Sequence, residues 1–226
     1  MEKLFALVRL ASLLIAAVAV GMILRTPPAP APDAVREAFA AYKHAVQADD
    51  GVAAAELLSR GTVDWYGMLL DEALHGSREE VAKLQPVEQI QILAFRQRVP
   101  ANELQGLTGR QLVELCIAHG WIGKSGIERT EIGSITVADD SAAAQVLVDG
   151  KDSGQQYHFL REAGQWRFDH LATIPAASSA IVTSAQQRGL PVDQFVQMVI
   201  ESTSRGRGAV DLWEPPFPRA TPGATP

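Results

Sequence analysis

QQYHFLREAGQWRFDHL, residues 155–171, reads as a β-hairpin, and the rest of the chain organises around it. Apolar and polar side chains alternate on both sides of Ala163-Gly164, a dipeptide suited to a tight turn. A two- or four-residue loop centred there fixes the register. Phe159 then faces Phe168, Tyr157 faces His170 and Arg161 faces Trp166 on one side of the ribbon. The other side carries His158 opposite Asp169, Leu160 opposite Arg167 and Glu162 opposite Gln165. Side chains alternate strictly between faces, so the aromatic set is expected to point inward and the charged set outward. His158 and Asp169 would then form a surface pair worth about 0–1 kcal/mol.

Upstream, residues 130–137 (TEIGSITV) and 142–148 (AAAQVLV) show the same period of two. Asp139-Asp140 and Asp149-Gly150 with Ser153-Gly154 supply the turns, and the expected strands are 130–137, 142–148, 155–161 and 166–173. Short connections between successive strands predict an antiparallel meander. Two helices should follow, over 175–188 and 191–203, the second with Phe195, Val196, Val199 and Ile200 on one face.

Before Gly126 the period is helical. Asp33 is placed to cap a helix whose Val35, Phe39, Tyr42 and Val46 share a face. Asp49-Asp50-Gly51 breaks it, VAAAELLSR restarts it, and Gly61 closes that second helix. Thr62 is read as opening a third helix, ended by Gly76. Ser77 with Glu80 and Thr108 with Gln111 are capping boxes, and Pro86 fits the first turn of the helix between them. The class is α+β, with helices packed on a curved antiparallel meander of about four strands and two extra C-terminal helices.

The segment AVREAFAAYKHAVQADDGVAAAELLS (34–59) resembles the opening helices of NTF2-like domains, the cystatin-like cone superfamily. QQYHFLREAGQWRFDHL resembles their closing hairpin. The resemblance covers about 33–173 and implies that helices and a bent sheet enclose a cone with an internal pocket. A helical insertion over about 62–118 and the C-terminal helices depart from the pattern. If the cone is open, the residues expected on its wall are Tyr157, Phe159, Trp166, Phe168 and His170, joined from the third helix by Trp65 and Tyr66. The competing expectation is that the C-terminal helices fill the cone and these side chains are core.

Residues 4–24 (LFALVRLASLLIAAVAVGMIL) are apolar except for Arg9, Ser12 and Gly21, long enough as a helix to cross a bilayer core. Lys3 and Arg9 favour a cytoplasmic N-terminus. The expectation is a single-pass bacterial inner-membrane protein. It comprises a transmembrane signal anchor (1–25), a proline-rich linker (26–32), a periplasmic NTF2-like domain with a helical insertion (33–203) and a Pro/Gly-rich tail (204–226). Within the tail, DLWEPPF (211–217) either docks back on the domain or on a partner, or belongs to a disordered tail. The alternative is a cleaved signal and a secreted or periplasmic product. An anchor followed by such a domain is also similar in architecture to the inner-membrane assembly subunit of type IV secretion systems.

The formal charge of −6 over 226 residues argues against nucleic acid as a partner. One cysteine excludes an internal disulfide, and no histidine has another at i+3 or i+4, so neither a metal nor a cofactor is expected. Gly123-Lys124-Ser125 echoes a phosphate loop, but Ala118 stands where the required glycine belongs. Cys116, beside Leu112 and Leu115, reads as a small core residue. No catalytic constellation survives. The expected function is therefore that of an exported, membrane-anchored binding or assembly module, its partner a protein, a second copy or a small molecule. The rival is a small-molecule hydrolase or isomerase working in the cone, with Trp65, Tyr66 and Asp71 on the third helix as its candidate residues.

Overall fold

The computed structural model describes residues 31–121, 124–203 and 211–219. The helices are α1 (Ala31–Gln47), α2 (Gly51–Glu56), α3 (Arg60–His75), α4 (Arg78–Ala82), α5 (Pro86–Arg98), α6 (Ala101–Gln105), α7 (Gly109–Ala118) and α8 (Lys124–Glu128). The strands β1 (Thr130–Ala138), β2 (Ser141–Val148), β3 (Lys151–Glu162) and β4 (Gln165–Asp169) then pair in sequence order as an antiparallel meander. A 3₁₀ turn, Leu171–Thr173, leads into α9 (Ile174–Gln187) and α10 (Val192–Thr203).

The expected fold put a transmembrane helix ahead of the domain, and that is corrected. Among the described residues no helix is long and apolar enough to cross a membrane. The longest, α1, buries Val35, Phe39, Tyr42, Ala45 and Val46 on one stripe but carries Arg36, Glu37 and Lys43 elsewhere on its surface. The fold class is α+β: among the described residues, a four-stranded antiparallel sheet with ten helices. Residues 4–24 lie outside the described residues. The linker also ends earlier than expected, since α1 starts at Ala31 with Pro32 and Asp33 both inside its first turn.

Two hairpin turns are set by paired left-handed residues, Asp149-Gly150 and Ala163-Gly164, each with positive φ at both positions. That geometry matches the twist of the flanking strands. The last hairpin has the register read from its sequence, from His158 opposite Asp169 to Glu162 opposite Gln165, with Phe159 facing Phe168. The ladder stops at Asp169, so His170 leaves the strand without pairing with Tyr157. β3 starts at Lys151 rather than at residue 155. Gly154, expected in the turn, lies inside the strand at φ +71° beside an irregularity in the β2–β3 register, where a left-handed residue lets the strand bulge without breaking.

On the inner face, Ala142 and Ala144 lie opposite Phe159 and Tyr157, and their small side chains leave room for rings. Phe168 is the hub of the cluster. Its ring centroid lies 4.9 Å from Tyr42, 5.0 Å from Tyr157, 5.4 Å from Phe159 and 6.5 Å from Phe39. α1 is tied across the strand ends by its basic residues. Lys43 donates to the carbonyls of Glu128 and Thr130, and Arg36 to those of Ile132 and Gly133.

The outer edge of β4 is closed by the link between α2 and α3. Phe168 N–H donates to Leu57 C=O and Ser59 N–H donates to Phe168 C=O, both at 2.8 Å. The expected start of α3 at Thr62 is corrected here: the cap is Ser59, whose hydroxyl accepts from Thr62 N–H at 3.1 Å, and Gly61 lies inside the helix. Ser59 and Thr62 are both fully buried. The Ser59 hydroxyl donates to Asp169 Oδ1 at 3.0 Å, Thr62 Oγ1 reaches the same oxygen, and Thr62 Oγ1 accepts His170 N–H at 2.9 Å. Glu162 accepts from Arg60 N–H. Two carboxylates thus sit at the N-terminus of a sixteen-residue helix, where its free N–H groups and dipole favour negative charge.

α3 packs against α5 and α7. At the α7 contact Gly109 comes so close to Gly67 that a Cβ on Gly109 would lie 2.5 Å from the Gly67 nitrogen. Residues 211–219 return to this helical layer. Arg96 donates to three carbonyls at the end of α3, those of Glu72, Ala73 and Gly76, and to two from the returning segment, Leu212 and Trp213. Burial lowers its pKa to about 10, which leaves it charged at neutral pH.

Two stability predictions follow from these contacts. Phe168→Ala should cost about 3–5 kcal/mol in urea unfolding, because it empties the centre of the ring cluster. Arg96→Gln should cost on the order of 3 kcal/mol and expose residues 211–219 to limited proteolysis. Arg96→Lys should not restore protection, since an ammonium group cannot span five carbonyls.

Candidate functional site: two cavities that share His170

The first cavity is an open cleft of about 610 Å³ between α1, the β3–β4 hairpin and α9. Tyr42, Tyr157, Phe168 and His170 form its aromatic wall. The opposite wall is made of small side chains, Ala172, Thr173, Ala176, Ala177 and Ala180. These come from the turn after β4 and the first two turns of α9, where Pro175 fits the helix start. Side chains this small on α9 leave the space in front of the hairpin open.

The second cavity, about 320 Å³, lies among the helices. α3 contributes Tyr66, α5 contributes Ile90, Gln91, Ala94, Phe95 and Arg98, α7 contributes Cys116, and α10 contributes Val199 and Ile200. Trp121 also lines it, with the Arg98 guanidinium 5.3 Å above its ring. His170 lines both cavities. Its backbone is fixed by Thr62 on one side and by the Thr173 hydroxyl, which donates to its carbonyl at 2.7 Å, on the other.

The seven side chains expected at the site are divided by the structure. Tyr157, Phe168 and His170 line the cleft, and Tyr66 lines the inner cavity. Phe159 is fully buried in the core beside Phe168. Trp166 is buried with Arg161 over its ring at 5.9 Å. Trp65 lines neither cavity; its indole N–H donates to Glu88 Oε1 at 2.9 Å. His158 stands at the cleft as well, half-buried; its register partner Asp169 has Oδ1 engaged by Ser59 and Thr62.

Several lining residues were missed by the sequence reading. The alanines of α9 carried a signal in their spacing, since Ala176, Ala177 and Ala180 share a helical face. Gln91, Arg98 and Trp121 carried none, because only tertiary packing brings α5 and the segment after α7 together.

The electrostatics favour neutral groups. Burial raises the pKa of Tyr42, Tyr66 and Tyr157, so all three phenols keep their protons. Burial pushes the Cys116 thiol up to about 12, which removes it as a nucleophile. Burial lowers His170 below its ordinary 6.5, and the neighbouring Asp169 charge only partly opposes this. Among the described residues the His170 ring nitrogens have no hydrogen-bond partner, and no three His, Cys, Asp or Glu side chains gather as a metal site. The arrangement offers hydrogen bonds and aromatic surface, with no paired acid and base.

Compared with protein-family models, with curated proteins and with solved structures, the chain finds no match.

The His170 environment has a pH signature. Above about 6.5 the imidazole is neutral in both the folded and the unfolded chain and contributes no pH dependence. As pH falls below that value the unfolded chain takes up the proton first, so stability should drop until the depressed folded pKa is passed. His170→Gln should remove this component, and denaturant midpoints for both proteins between pH 7.5 and 4.5 would check it (roughly the span set by the ordinary histidine value).

Proposed function

We propose that this chain is a binding module that takes a small, largely apolar molecule into the cleft between the aromatic hairpin and α9. The observation that carries this reading is the pairing of a ring-lined wall with an alanine-lined one across about 610 Å³. Binding sites are typically concave and apolar with a few placed polar groups. Here Thr130, Tyr157 and His170 supply those groups, and they are neutral. The resemblance to NTF2-like domains supports the same reading, because it implies a cone with a pocket at this position. A hydrolase or isomerase would need an acid or base positioned on His170. The adjacent Asp169 is instead bound at the start of α3.

A neutral naphthylamine dye titrated into the protein tests this. Saturable fluorescence enhancement is expected. Ala177→Leu, which grows a side chain into the cleft, should weaken it about tenfold, equivalent to about 1.4 kcal/mol, with an unchanged unfolding midpoint. Unsaturable enhancement, or an unaltered affinity in Ala177→Leu, would overturn the reading.

A further inference from the structure

The inner cavity holds a combination that the packing of the protein does not explain. Tyr66 is 1% exposed, yet its hydroxyl has no hydrogen-bond partner among the described residues. The Gln91 side-chain oxygen is buried and likewise without a partner. Both residues line the same chamber of about 320 Å³. Buried polar atoms left unsatisfied destabilise a fold, and native proteins keep few of them. Arg98 lines that chamber too. It has no hydrogen bond or ion pair among the described residues, only the face of Trp121 beneath it. Its charge is felt at the Cys116 thiol, which also lines the chamber and whose upward shift it partly offsets.

We propose that this chamber is a binding site for a small monocarboxylic acid with an apolar body. The carboxylate would be held by Arg98 together with the Tyr66 hydroxyl and the Gln91 amide, and the body would lie along Ile90, Phe95 and Val199. Each assignment follows from the chemistry of the wall. A lone guanidinium beside neutral donors suits a carboxylate, to which it can offer two parallel N–H groups. The Gln91 amide can present either its oxygen or its NH₂. A phenol whose pKa is raised by burial remains a donor at neutral pH. The aliphatic side chains exclude water from the rest of the ligand and strengthen the polar contacts. A chamber of this size is far larger than one water needs, roughly 10–15 Å³ by the same kind of measure.

The chamber and the cleft have only His170 in common among their lining residues, so the proposal is tested apart from the cleft reading. Calorimetric titration of the full chain with octanoate and with octanol tests it, the two probes sharing a body and differing in charge. Octanoate should bind one-to-one and at least about tenfold more tightly than octanol, a difference of about 1.4 kcal/mol. Arg98→Gln should abolish that preference. Tyr66→Phe should weaken octanoate several-fold while leaving thermal stability unchanged or higher, since the hydroxyl it removes has no partner in the free protein. Ala177→Leu, which blocks the cleft, should leave octanoate binding as it is, so the two readings fail separately. Equal affinities for octanoate and octanol, no octanoate binding at millimolar concentration, or an undiminished preference in Arg98→Gln would each overturn the proposal.

Discussion

The backbone of Phe168 holds the two halves of the molecule together. Its N–H and C=O both point away from β3, to Leu57 and Ser59 in the link between α2 and α3. A short edge strand with free backbone groups invites mispairing or fraying. Here that edge is closed by the helical layer, and the same residue places its ring at the centre of the aromatic cluster. One residue therefore links the sheet, α1 and the start of α3. The buried hydroxyls of Ser59 and Thr62 reinforce the junction by binding Asp169 and the His170 backbone. His170 comes to face both cavities because the chain turns out of β4 directly over this junction.

The cavities depend on what lies behind that junction. The cleft persists because α9 faces it with Ala176, Ala177 and Ala180, side chains too short to fill the space in front of the aromatic wall. The inner chamber lies where α3, α5, α7 and α10 meet, and fixed elements at the helix ends hold that arrangement. Arg96 is the main one. Its five hydrogen bonds join the end of α3 to the returning segment 211–219. Trp213 in that segment donates to Gln197 of α10, and Phe217 N–H donates to Leu74 C=O of α3. The segment acts as a strap across the helix ends, with Arg78 bound to Asp211 and stacked over Trp213.

The hairpin was legible because two local rules agreed there: strict alternation of side chains, and a turn dipeptide that tolerates positive φ at both positions. The capping boxes at Ser77 and Thr108 were legible for the same reason, since both partners lie within four residues. Where a residue satisfied a local rule but answered to a distant partner, the reading slipped. Gly154 looked like a turn and is a bulge within β3. Thr62 looked like a helix start, yet Ser59 fills that role because its hydroxyl serves Asp169, far along the chain. That DLWEPPF docks back on the domain was one of two open readings of the tail, but a proline-rich stretch gives no hint that Arg96 will gather its carbonyls. Of the expected wall residues, those at the open end of the hairpin reached a cavity, while Phe159 and Trp166 were absorbed by the core. Register gives the face a side chain shares, but not how deep along that face a helix closes over it.

Native-state hydrogen exchange at the Phe168 and Ser59 amides tests the account most directly. Without the α2–α3 link, the Phe168 amide would stand on an open sheet edge and exchange through local fluctuation. With it, both amides should exchange only through global unfolding, with the same free energy as the most protected amides of β2 and β3. Exchange at either amide faster than at those strands by several orders of magnitude would contradict the junction, and with it the placement of His170 between the two cavities.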